Sequence, residues 1–348
     1  MGFAAVPEDA RTALAARVTA GKEVGVIVAT IDAVGRDAAA FGKVAKERPR
    51  APDADTVFEI GSITKVFTSL VLADMIERGE VNADTPVADL LPKTANVPSR
   101  DGRQITLLDL SMQMSGLPRV PLNLMPADGA NPYADYTPRK LYEFLSGYTL
   151  KRDPGEKYEY SNLGAGLLGH ALALKAGMSY EQLVRTRILE PLGMKDTGIT
   201  LTADQKTRLA QGYNMSLNPA KSWDFDALAG CGALRSTAND MLTFLSAAMG
   251  LHDTPLRAAF ARMLSVRKDT GMPSIQIAMA WHIFTRFGTD IVWHNGGTYG
   301  FRSFAGFNPA TKTGVVVLCN TFADNDDIGV HVLDTRYGMA GQPAAAQR

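Results

Sequence analysis

The positions of the strand-forming segments constrain this fold most, because they lie at the two ends of the chain with helical segments between them. Near the start, residues 23–31 and 38–44 are rich in valine, isoleucine and alanine, and this pattern predicts two paired strands. Strands from both ends must meet in one sheet to bury their apolar side chains. The segments near the end with the same character are 275–284, 289–294, 301–307 and 314–319.

The segments between these strands have the three- and four-residue apolar spacing of helices, most clearly at residues 62–78. We therefore predict an α/β fold (an α+β sandwich), in which an antiparallel sheet from both chain ends is flanked by helices and carries an inserted helical subdomain. The prediction is a single domain, 1–348. Its α/β body covers about 1–80 and 270–348, and its helical subdomain covers about 81–269.

Charge and hydropathy exclude several classes of function. The 348 residues include 36 Lys+Arg and 36 Asp+Glu, so the formal net charge is zero and the basic surface of a nucleic-acid-binding protein is absent. No apolar run reaches the length of about 18 residues that a membrane span needs, so we expect no membrane-spanning segment. No secretory signal is visible at the start, which predicts either a cytoplasmic protein or the mature form of an exported one.

Metal and disulfide chemistry are not expected. Two cysteines, Cys231 and Cys319, are too few for a disulfide framework or a metal knuckle, and their apolar surroundings indicate core residues. The five histidines show no paired metal-binding spacing. We therefore expect no cofactor and no metal, and a small-molecule substrate as the partner.

A Ser-x-x-Lys motif at Ser62 and Lys65 is the first candidate catalytic group. Residues three apart on a helix share a face, so the lysine amine can reach the serine hydroxyl and act as the base that a serine nucleophile needs. A second copy, Ser265 and Lys268, lies at a helix end with no strand before it, and either copy could be an ordinary surface pair. The strand and glycine before Ser62 favour the first copy.

Two further motifs are candidates, and each has a structural alternative. In Tyr160 and Asn162, the phenol can carry protons and the amide can orient a base or a substrate; the alternative is a turn followed by a helix cap. His294, Gly296 and Gly297 follow a strand, where glycine lets a substrate approach a backbone N–H closely. The alternative there is a hairpin turn, for which Asn-Gly is a strong signal.

The order of these three motifs resembles that of serine β-lactamases and penicillin-binding proteins. It is most similar to class C β-lactamases, D-Ala-D-Ala peptidases of similar build and family VIII esterases. The resemblance covers most of residues 57–320. The segments that carry it are FEIGSITKVF, LLDLSMQMSGLP, PGEKYEYSNLG, EPLGMKDTG, GALRSTANDMLTFL, WHNGGTYGFRSFAGFNP and GVVVLCN.

This resemblance implies a β-lactamase/transpeptidase-like fold and a covalent acyl-enzyme that water hydrolyses. Ser62 is similar to the acylated nucleophile, Lys65 to its base, and Tyr160 to the residue that shuttles protons. The resemblance implies that Asn162 holds the substrate side chain and Lys65. It also implies an oxyanion hole formed by the backbone N–H groups of Ser62 and Gly297.

The sequence departs from this family where a substrate carboxylate would bind. Many members have lysine at the position of His294, and a neutral imidazole holds a carboxylate less well unless a neighbour raises its pKa. The last helix begins in the acidic segment TFADNDDIG, where class C enzymes have polar and basic groups. Arg302 could substitute as the anchor, or it could be an ordinary surface arginine.

We expect class C-like hydrolysis of β-lactams as the leading activity, at a modest rate. The departures weaken the case for a specialised antibiotic-resistance enzyme. They strengthen the case for a family VIII-type carboxylesterase or a D-amino-acid peptidase that uses the same site. A penicillin-binding sensor that is acylated without hydrolysis is a further alternative.

Overall fold

The structure is a computed structural model that describes residues 5–340. Its strands, in chain order, are β1 (Gly25–Ile31), β2 (Arg36–Gly42), β3 (Phe58–Glu59), β4 (Ser99–Arg100), β5 (Arg103–Gln104), β6 (Arg235–Ser236), β7 (Lys268–Asp269), β8 (Ile275–Ile277), β9 (His282–Phe284), β10 (Ile291–Gly297), β11 (Arg302–Asn308) and β12 (Thr313–Cys319). Eight of them form one antiparallel sheet in the order β2-β1-β12-β11-β10-β9-β8-β7. The pairs β3–β6 and β4–β5 form two small separate sheets.

The α-helices lie on both faces of this sheet and in the segment between its N-terminal and C-terminal strands. In chain order they are α1 (Glu8–Thr19), α2 (Thr64–Glu77), α3 (Leu107–Ser111), α4 (Pro138–Gly147), α5 (Asn162–Ala176), α6 (Tyr180–Val184), α7 (Glu190–Leu192), α8 (Ala203–Arg208), α9 (Ala238–Ala248), α10 (Arg257–Met263) and α11 (Asp326–Leu333). No helix within residues 5–340 is long and apolar enough to cross a membrane.

Strand β1 explains why the sheet is covered on both faces. Ile27, Ala29 and Ile31 point into the larger apolar core, which includes side chains of α2 and α9. Val26 and Val28 point into a smaller core beneath α1 and α11. Successive side chains of a strand alternate between faces, so a strand that is apolar at every position needs helices on both sides. The prediction of an antiparallel sheet built from both chain ends and flanked by helices is confirmed.

The segment 275–284, predicted as one strand, is two strands in the structure. A turn with Ala280 at φ +61° separates β8 from β9. The Ala278 N–H donates to the Trp281 carbonyl at 2.8 Å and closes this turn. The turn buries the Trp281 ring against Phe307, with 5.6 Å between the ring centroids. Burial of so large a ring stabilises a reversal that strand propensity alone does not predict.

The Asn-Gly pair at Asn295 and Gly296 is not a hairpin turn. Both residues lie within β10, opposite Phe304 and Ser303 of β11. A Cβ atom at Gly296 would come within 2.0 Å of the Ile60 carbonyl oxygen. Glycine in a strand often marks such a close approach of another backbone segment, and here that segment leads into α2.

Helix α2 carries the first motif at its start. A 3₁₀ turn, Gly61–Ile63, precedes the helix and contains Ser62, so the α-helix begins later than the predicted residue 62. Every residue of α2 from Thr64 to Met75 is buried. The helix is therefore enclosed by protein, and Lys65 in its first turn lies in the interior.

Helix α5 carries the second motif at its start and packs closely against the 3₁₀ turn Ala229–Cys231. A Cβ atom at Gly169 of α5 would come within 2.8 Å of the Gly230 Cα. The absence of a side chain at both positions allows this contact. The contact matters for the site because it places the Cys231 carbonyl beside the first turn of α2.

Candidate active site

Ser62 lies where the turn before α2 meets the end of β10. The preceding residue, Gly61, has φ +49°, and a Cβ atom there would come within 2.6 Å of the Gly297 nitrogen. Only glycine accepts both this conformation and this approach without strain. The Ser303 hydroxyl donates to the Ile60 carbonyl at 2.8 Å and ties the same turn to β11. The Ser62 backbone is thereby held beside Gly297.

Lys65 is hydrogen-bonded directly to Ser62. Its Nζ donates to Ser62 Oγ at 2.9 Å and to the Cys231 carbonyl at 2.7 Å. Lys65 is 1% exposed, so burial and two acceptors hold the amine in one place. An amine at this distance can take the proton of a serine hydroxyl and so activate it as a nucleophile.

Tyr160 lies against this amine, but within residues 5–340 Asn162 makes no hydrogen bond to Lys65, so the implied contact between Asn162 and Lys65 is not present. Lys65 Nζ is 4.8 Å from the centroid of the Tyr160 ring, and the Arg119 guanidinium carbon is 4.9 Å from the same centroid. Asn162 Nδ2 donates to the Tyr133 hydroxyl at 3.0 Å. Asn162 Oδ1 is buried and has no hydrogen-bond partner within residues 5–340. A buried amide oxygen without a partner is suited to accept a hydrogen bond from a bound substrate.

These residues surround a cavity of about 590 Å³. Of the sequence-predicted site residues, the cavity wall contains Ser62, Tyr160, Asn162, Gly296, Gly297 and Arg302. The wall also contains several aromatic side chains: Tyr133, Tyr158, Trp223, Phe225, Tyr299 and Phe322. A second cavity of about 570 Å³, on the other face of β10 against α11, contains none of the predicted site residues.

His294 is not part of the cavity wall. It is 1% exposed, and its Nδ1 donates to the Asn295 carbonyl at 2.5 Å. Burial, followed by His282 and Lys65, lowers the pKa of His294 well below its ordinary value, so the imidazole is neutral at pH 7. The sequence left open that a neighbour raises this pKa. The structure corrects that point, because the neighbouring charges and burial lower it.

His282 and Tyr158 form a hydrogen-bonded pair beside His294. The Tyr158 hydroxyl and His282 Nε2 are 2.9 Å apart, and the His282 and His294 ring centroids are 5.2 Å apart. Burial, with a smaller effect of Lys65, lowers the pKa of His282 to about 4. Both imidazoles are therefore uncharged near neutral pH, and the β10 end of the site contains no imidazolium.

Arg302 lines the cavity, but its charge is already paired. Its guanidinium lies 2.8 Å from Asp326 and 3.3 Å from Asp324. Asp326 also accepts a hydrogen bond from the Asn295 side chain. Burial raises the pKa of Asp326 to about 6, although Arg302 opposes this effect. The acidic start of α11, noted in the sequence, therefore neutralises the arginine that was a candidate carboxylate anchor.

The sequence reasoning missed Arg119, His282 and the aromatic wall. Arg119 follows directly on the family-like segment that ends in Gly-Leu-Pro, and this position was the only available signal. His282 lies in a segment that was treated as one strand. Neither residue belongs to one of the three motifs, so only the folded chain brings them to the site.

No metal site is found in the part of the chain that the structure describes. Within residues 5–340, no group of three or more His, Cys, Asp or Glu side chains is placed to hold a metal ion. Cys231 and Cys319 are buried free thiols. Burial raises the pKa of the Cys231 thiol to about 11, and it is the carbonyl of this residue that contacts Lys65.

The antiparallel sheet flanked by helices, with a Ser-x-x-Lys motif where the sheet meets a buried helix, defines a protein of the β-lactamase/transpeptidase-like fold. The chain belongs to the Beta-lactamase family, whose model matches residues 10–333. The proteins of this family that it resembles are serine hydrolases.

Three similar proteins illustrate the relationship. The D-alanyl-D-alanine-carboxypeptidase/endopeptidase AmpH of Escherichia coli (strain K12) is 33% identical over 64% of this chain and 56% of its own length. A class C β-lactamase from Rhodobacter sphaeroides is 26% identical, with a TM-score of 0.80 over 94% of this chain and 99% of that one. A β-lactamase/D-alanine carboxypeptidase from Yersinia pestis, complexed with citrate, is 26% identical, with a TM-score of 0.77 over 90% and 92%. The chain spans about half the length of the curated relatives it matches.

Proposed function

We propose that this protein hydrolyses uncharged esters and amides through an acyl-enzyme on Ser62. The observation that carries the proposal is the 2.9 Å hydrogen bond between Ser62 Oγ and Lys65 Nζ, with Ser62 in the wall of the cavity. The second Ser-x-x-Lys motif has no such arrangement. Ser265 Oγ instead donates to the carbonyl of Arg262, at the exposed end of α10.

In the acylation step, Lys65 accepts the Ser62 proton as Oγ attacks the substrate carbonyl carbon. The backbone N–H groups of Ser62 and Gly297 stabilise the negative oxygen that develops on that carbon. Tyr160 gives its phenolic proton to the leaving atom as the C–O or C–N bond breaks. The Lys65 ammonium then returns a proton to Tyr160. Water attacks the acyl carbonyl, and its proton passes through Tyr160 and Lys65 to Ser62 Oγ as the acyl–Oγ bond breaks and the acid is released.

The β10 end of the cavity wall favours an uncharged substrate, whereas Arg119 lies elsewhere in the wall, against the Tyr160 ring. Arg302 is paired with two carboxylates and His294 is neutral and buried, so this end of the cavity offers a substrate carboxylate no unpaired cation. Moving a carboxylate out of water without a paired charge is costly. The aromatic side chains offer apolar contact to an acyl or alcohol group instead.

Opening of β-lactams is the second candidate activity. It is supported by the 26% identity and the TM-score of 0.80 to a class C β-lactamase over 94% of this chain. The Asn162 amide oxygen, buried without a partner, would accept the amide N–H of a β-lactam side chain. We expect lower affinity for β-lactams than for neutral esters, because most β-lactams carry a carboxylate. Cleavage of small D-amino-acid peptides would use the same catalytic groups. We expect lower affinity for these peptides too, because they carry a terminal carboxylate.

The test compares wild type, Ser62→Ala and Ser265→Ala with a p-nitrophenyl ester, nitrocefin and a fluorescent penicillin. We expect Ser62→Ala to lose turnover and labelling by 10³-fold or more, on the order of the loss seen when a catalytic nucleophile is removed. Ser265→Ala has the same chemical change in the other Ser-x-x-Lys motif, and we expect wild-type rates from it.

Each outcome separates the candidates. Ester turnover with little nitrocefin hydrolysis supports the esterase, and comparable turnover of nitrocefin moves the assignment to a β-lactamase. Stable penicillin labelling without turnover of any substrate identifies a non-hydrolysing sensor. Wild-type turnover by Ser62→Ala removes Ser62 as the nucleophile.

A further inference from the structure

We propose that Arg119 is a positioning residue that supplies the second positive charge at Tyr160, in place of the cation that the third motif lacks. The inference rests on the proposed acyl-enzyme function, because it gives Arg119 a part in the same reaction. It depends on three observations: the neutral third motif, the position of the Arg119 guanidinium, and the absence of a carboxylate that would neutralise it.

The third motif contributes no charge near Tyr160. The ring centroids of Tyr160 and His294 are 6.3 Å apart, so a cation at position 294 would act directly on the phenol. His294 is instead buried, donates through Nδ1 to a backbone carbonyl, and lies beside a second uncharged imidazole, His282. This part of the site is therefore electrically neutral.

Arg119 lies against the Tyr160 ring at nearly the same distance as Lys65. The distances to the ring centroid are 4.9 Å from the Arg119 guanidinium carbon and 4.8 Å from Lys65 Nζ. Both are within the range of about 6 Å over which a cation is attracted to an aromatic ring. The Tyr160 ring is therefore in contact with the Arg119 cation and with the Lys65 amine, which becomes a second cation once it has taken the Ser62 proton.

The charge of Arg119 is not neutralised by a partner. No carboxylate within residues 5–340 forms an ion pair with it, whereas Arg302, the other arginine in the cavity wall, contacts Asp324 and Asp326. Arg119 is exposed, so water screens part of its charge, but its guanidinium carbon lies 4.9 Å from the centroid of the Tyr160 ring, close enough to act on that ring. Arg119 also lowers the pKa values of Tyr133 and Tyr158, against the larger effect of burial.

Backbone hydrogen bonds hold Arg119 beside the second motif, Tyr160 and Asn162. The Arg119 carbonyl accepts hydrogen bonds from the N–H groups of Asn162, at 2.8 Å, and Leu163, at 3.3 Å. These are the first residues of α5, and Tyr160 lies just before that helix. The Arg119 backbone is therefore fixed to the segment whose tyrosine its side chain contacts.

The two cations stabilise the charge that Tyr160 carries during the reaction. When the phenolic proton passes to the leaving atom, the tyrosine oxygen becomes negative until the Lys65 ammonium returns the proton that Lys65 took from Ser62. In deacylation the proton of the attacking water takes the opposite route and ends on Ser62 Oγ. A guanidinium that stays charged throughout stabilises the negative oxygen in both steps.

Several titratable or charged groups surround the Tyr160 ring and contribute to any pH dependence. They are Lys65 from α2, Arg119, Tyr133 and Tyr158 from the loops, and His294 from β10.

The test measures kcat and KM for an uncharged p-nitrophenyl ester from pH 5 to pH 10 in wild type, Arg119→Met and Arg119→Lys. We expect Arg119→Met to lower kcat by about 10- to 100-fold with little change in KM, as for the loss of one charge-stabilising group. We expect this fall in kcat across the whole pH range, because a guanidinium stays charged throughout it. Arg119→Lys keeps the charge, so kcat should stay within about threefold of wild type.

Arg139→Met is the control for loss of a positive charge, because Arg139 is an exposed residue of α4 paired with Glu143. It should keep wild-type kcat and pH profile. If Arg119→Met does not fold by circular dichroism, Arg119→Gln takes its place. Unchanged kcat in the folded neutral variant overturns the proposal, as does equal impairment of Arg119→Lys.

Two other outcomes are distinguishable from these. The same variants are also assayed with nitrocefin, which carries a carboxylate. A rise in KM confined to nitrocefin makes Arg119 a substrate anchor and overturns its role at Tyr160. Absence of Ser62-dependent turnover in the wild type contradicts the proposed function, on which this inference rests, before any Arg119 variant is compared.

Discussion

Gly61 lies so close to Gly297 that a Cβ atom on Gly61 would approach the Gly297 nitrogen to 2.6 Å. Gly61 precedes the proposed nucleophile, and Gly297 ends the strand that is expected to supply the second oxyanion N–H. One backbone contact therefore sets the distance between the two parts of the site. Any atom added at this contact must separate them.

Gly61→Ala should reduce the acylation rate by more than its loss of stability explains. The positive φ of Gly61 costs an alanine about 1–2 kcal/mol, and the new methyl group also pushes the Ser62 turn away from β10. Gly79→Ala is the matched control, because Gly79 has φ +69° and a Cβ there meets nothing within 4 Å. We expect both variants to lose stability in urea unfolding, Gly61→Ala more than Gly79→Ala, and an ester acylation rate at least tenfold lower for Gly61→Ala alone. Equal acylation rates in the two variants would contradict this role.

Part of the site follows from the sequence because the residues are close along the chain. Ser62 and Lys65 are one helical turn apart, so their contact is a local property of α2. The third motif contributes glycines whose small size is visible in the sequence, although their place inside β10 is not. Their position in the strand depends on the Ile60 backbone, which approaches from a distant segment.

The electrostatics of the site do not follow from the sequence. Whether Arg302 is available as an anchor depends on Asp324 and Asp326, which reach it from the start of α11. Whether His294 is charged depends on its burial beside His282, and two strands must pair before these rings meet. Such pairings are made between residues far apart in the chain, and no local motif encodes them.

Asp326→Asn should improve binding of carboxylate-bearing substrates. The change removes the carboxylate 2.8 Å from Arg302 and leaves only Asp324, at 3.3 Å. We expect KM for a carboxylate-bearing β-lactam to fall by about 3- to 10-fold relative to KM for a neutral ester, the scale of one exposed ion pair. Asp253→Asn removes an exposed carboxylate paired with Arg257 and should change neither constant.

The same contact predicts a pH effect in the wild type. The pKa of Asp326 is raised to about 6, so the group is protonated below that pH and its attraction for Arg302 weakens. KM for the carboxylate-bearing substrate should therefore fall relative to KM for the ester as pH decreases from 8 to 5. An identical pH dependence for both substrates would show that Arg302 does not contact the carboxylate.

Glu23→Gln should stabilise the protein at alkaline pH. Burial raises the pKa of Glu23 from 4.5 to about 7, so the folded state keeps this proton in a pH range where the unfolded state has lost it. The free energy of unfolding of the wild type therefore falls, relative to Glu23→Gln, as pH rises from about 4.5 to 7. Linkage gives about 3 kcal/mol as the upper limit of this difference. Urea unfolding at pH 5, 6, 7 and 8 measures it, and parallel curves for the two proteins contradict it.

His294→Lys should shift selectivity toward carboxylate-bearing β-lactams. A lysine reaches further than an imidazole and can extend its ammonium from this buried position toward the cavity. We expect kcat/KM for nitrocefin to rise relative to that for a neutral p-nitrophenyl ester. Because the position is 1% exposed, we also expect thermal unfolding at a lower temperature. Equal changes for both substrates would remove position 294 from carboxylate recognition.

The double variant Arg119→Met/His294→Lys tests whether two cations at Tyr160 are needed, whichever residue supplies the second. Arg119→Met leaves only Lys65 against the ring, 4.8 Å from its centroid. A lysine at position 294 starts from a backbone whose present side chain has its ring centroid 6.3 Å from that of Tyr160. We expect the added lysine to recover at least a third of the fall in log kcat that Arg119→Met causes for the neutral ester. Two residues that act on the same ring have effects that are not additive. If kcat of the double variant is no higher than the product of the two single-variant effects predicts, a lysine at position 294 does not replace Arg119 at Tyr160, and Arg119 acts elsewhere.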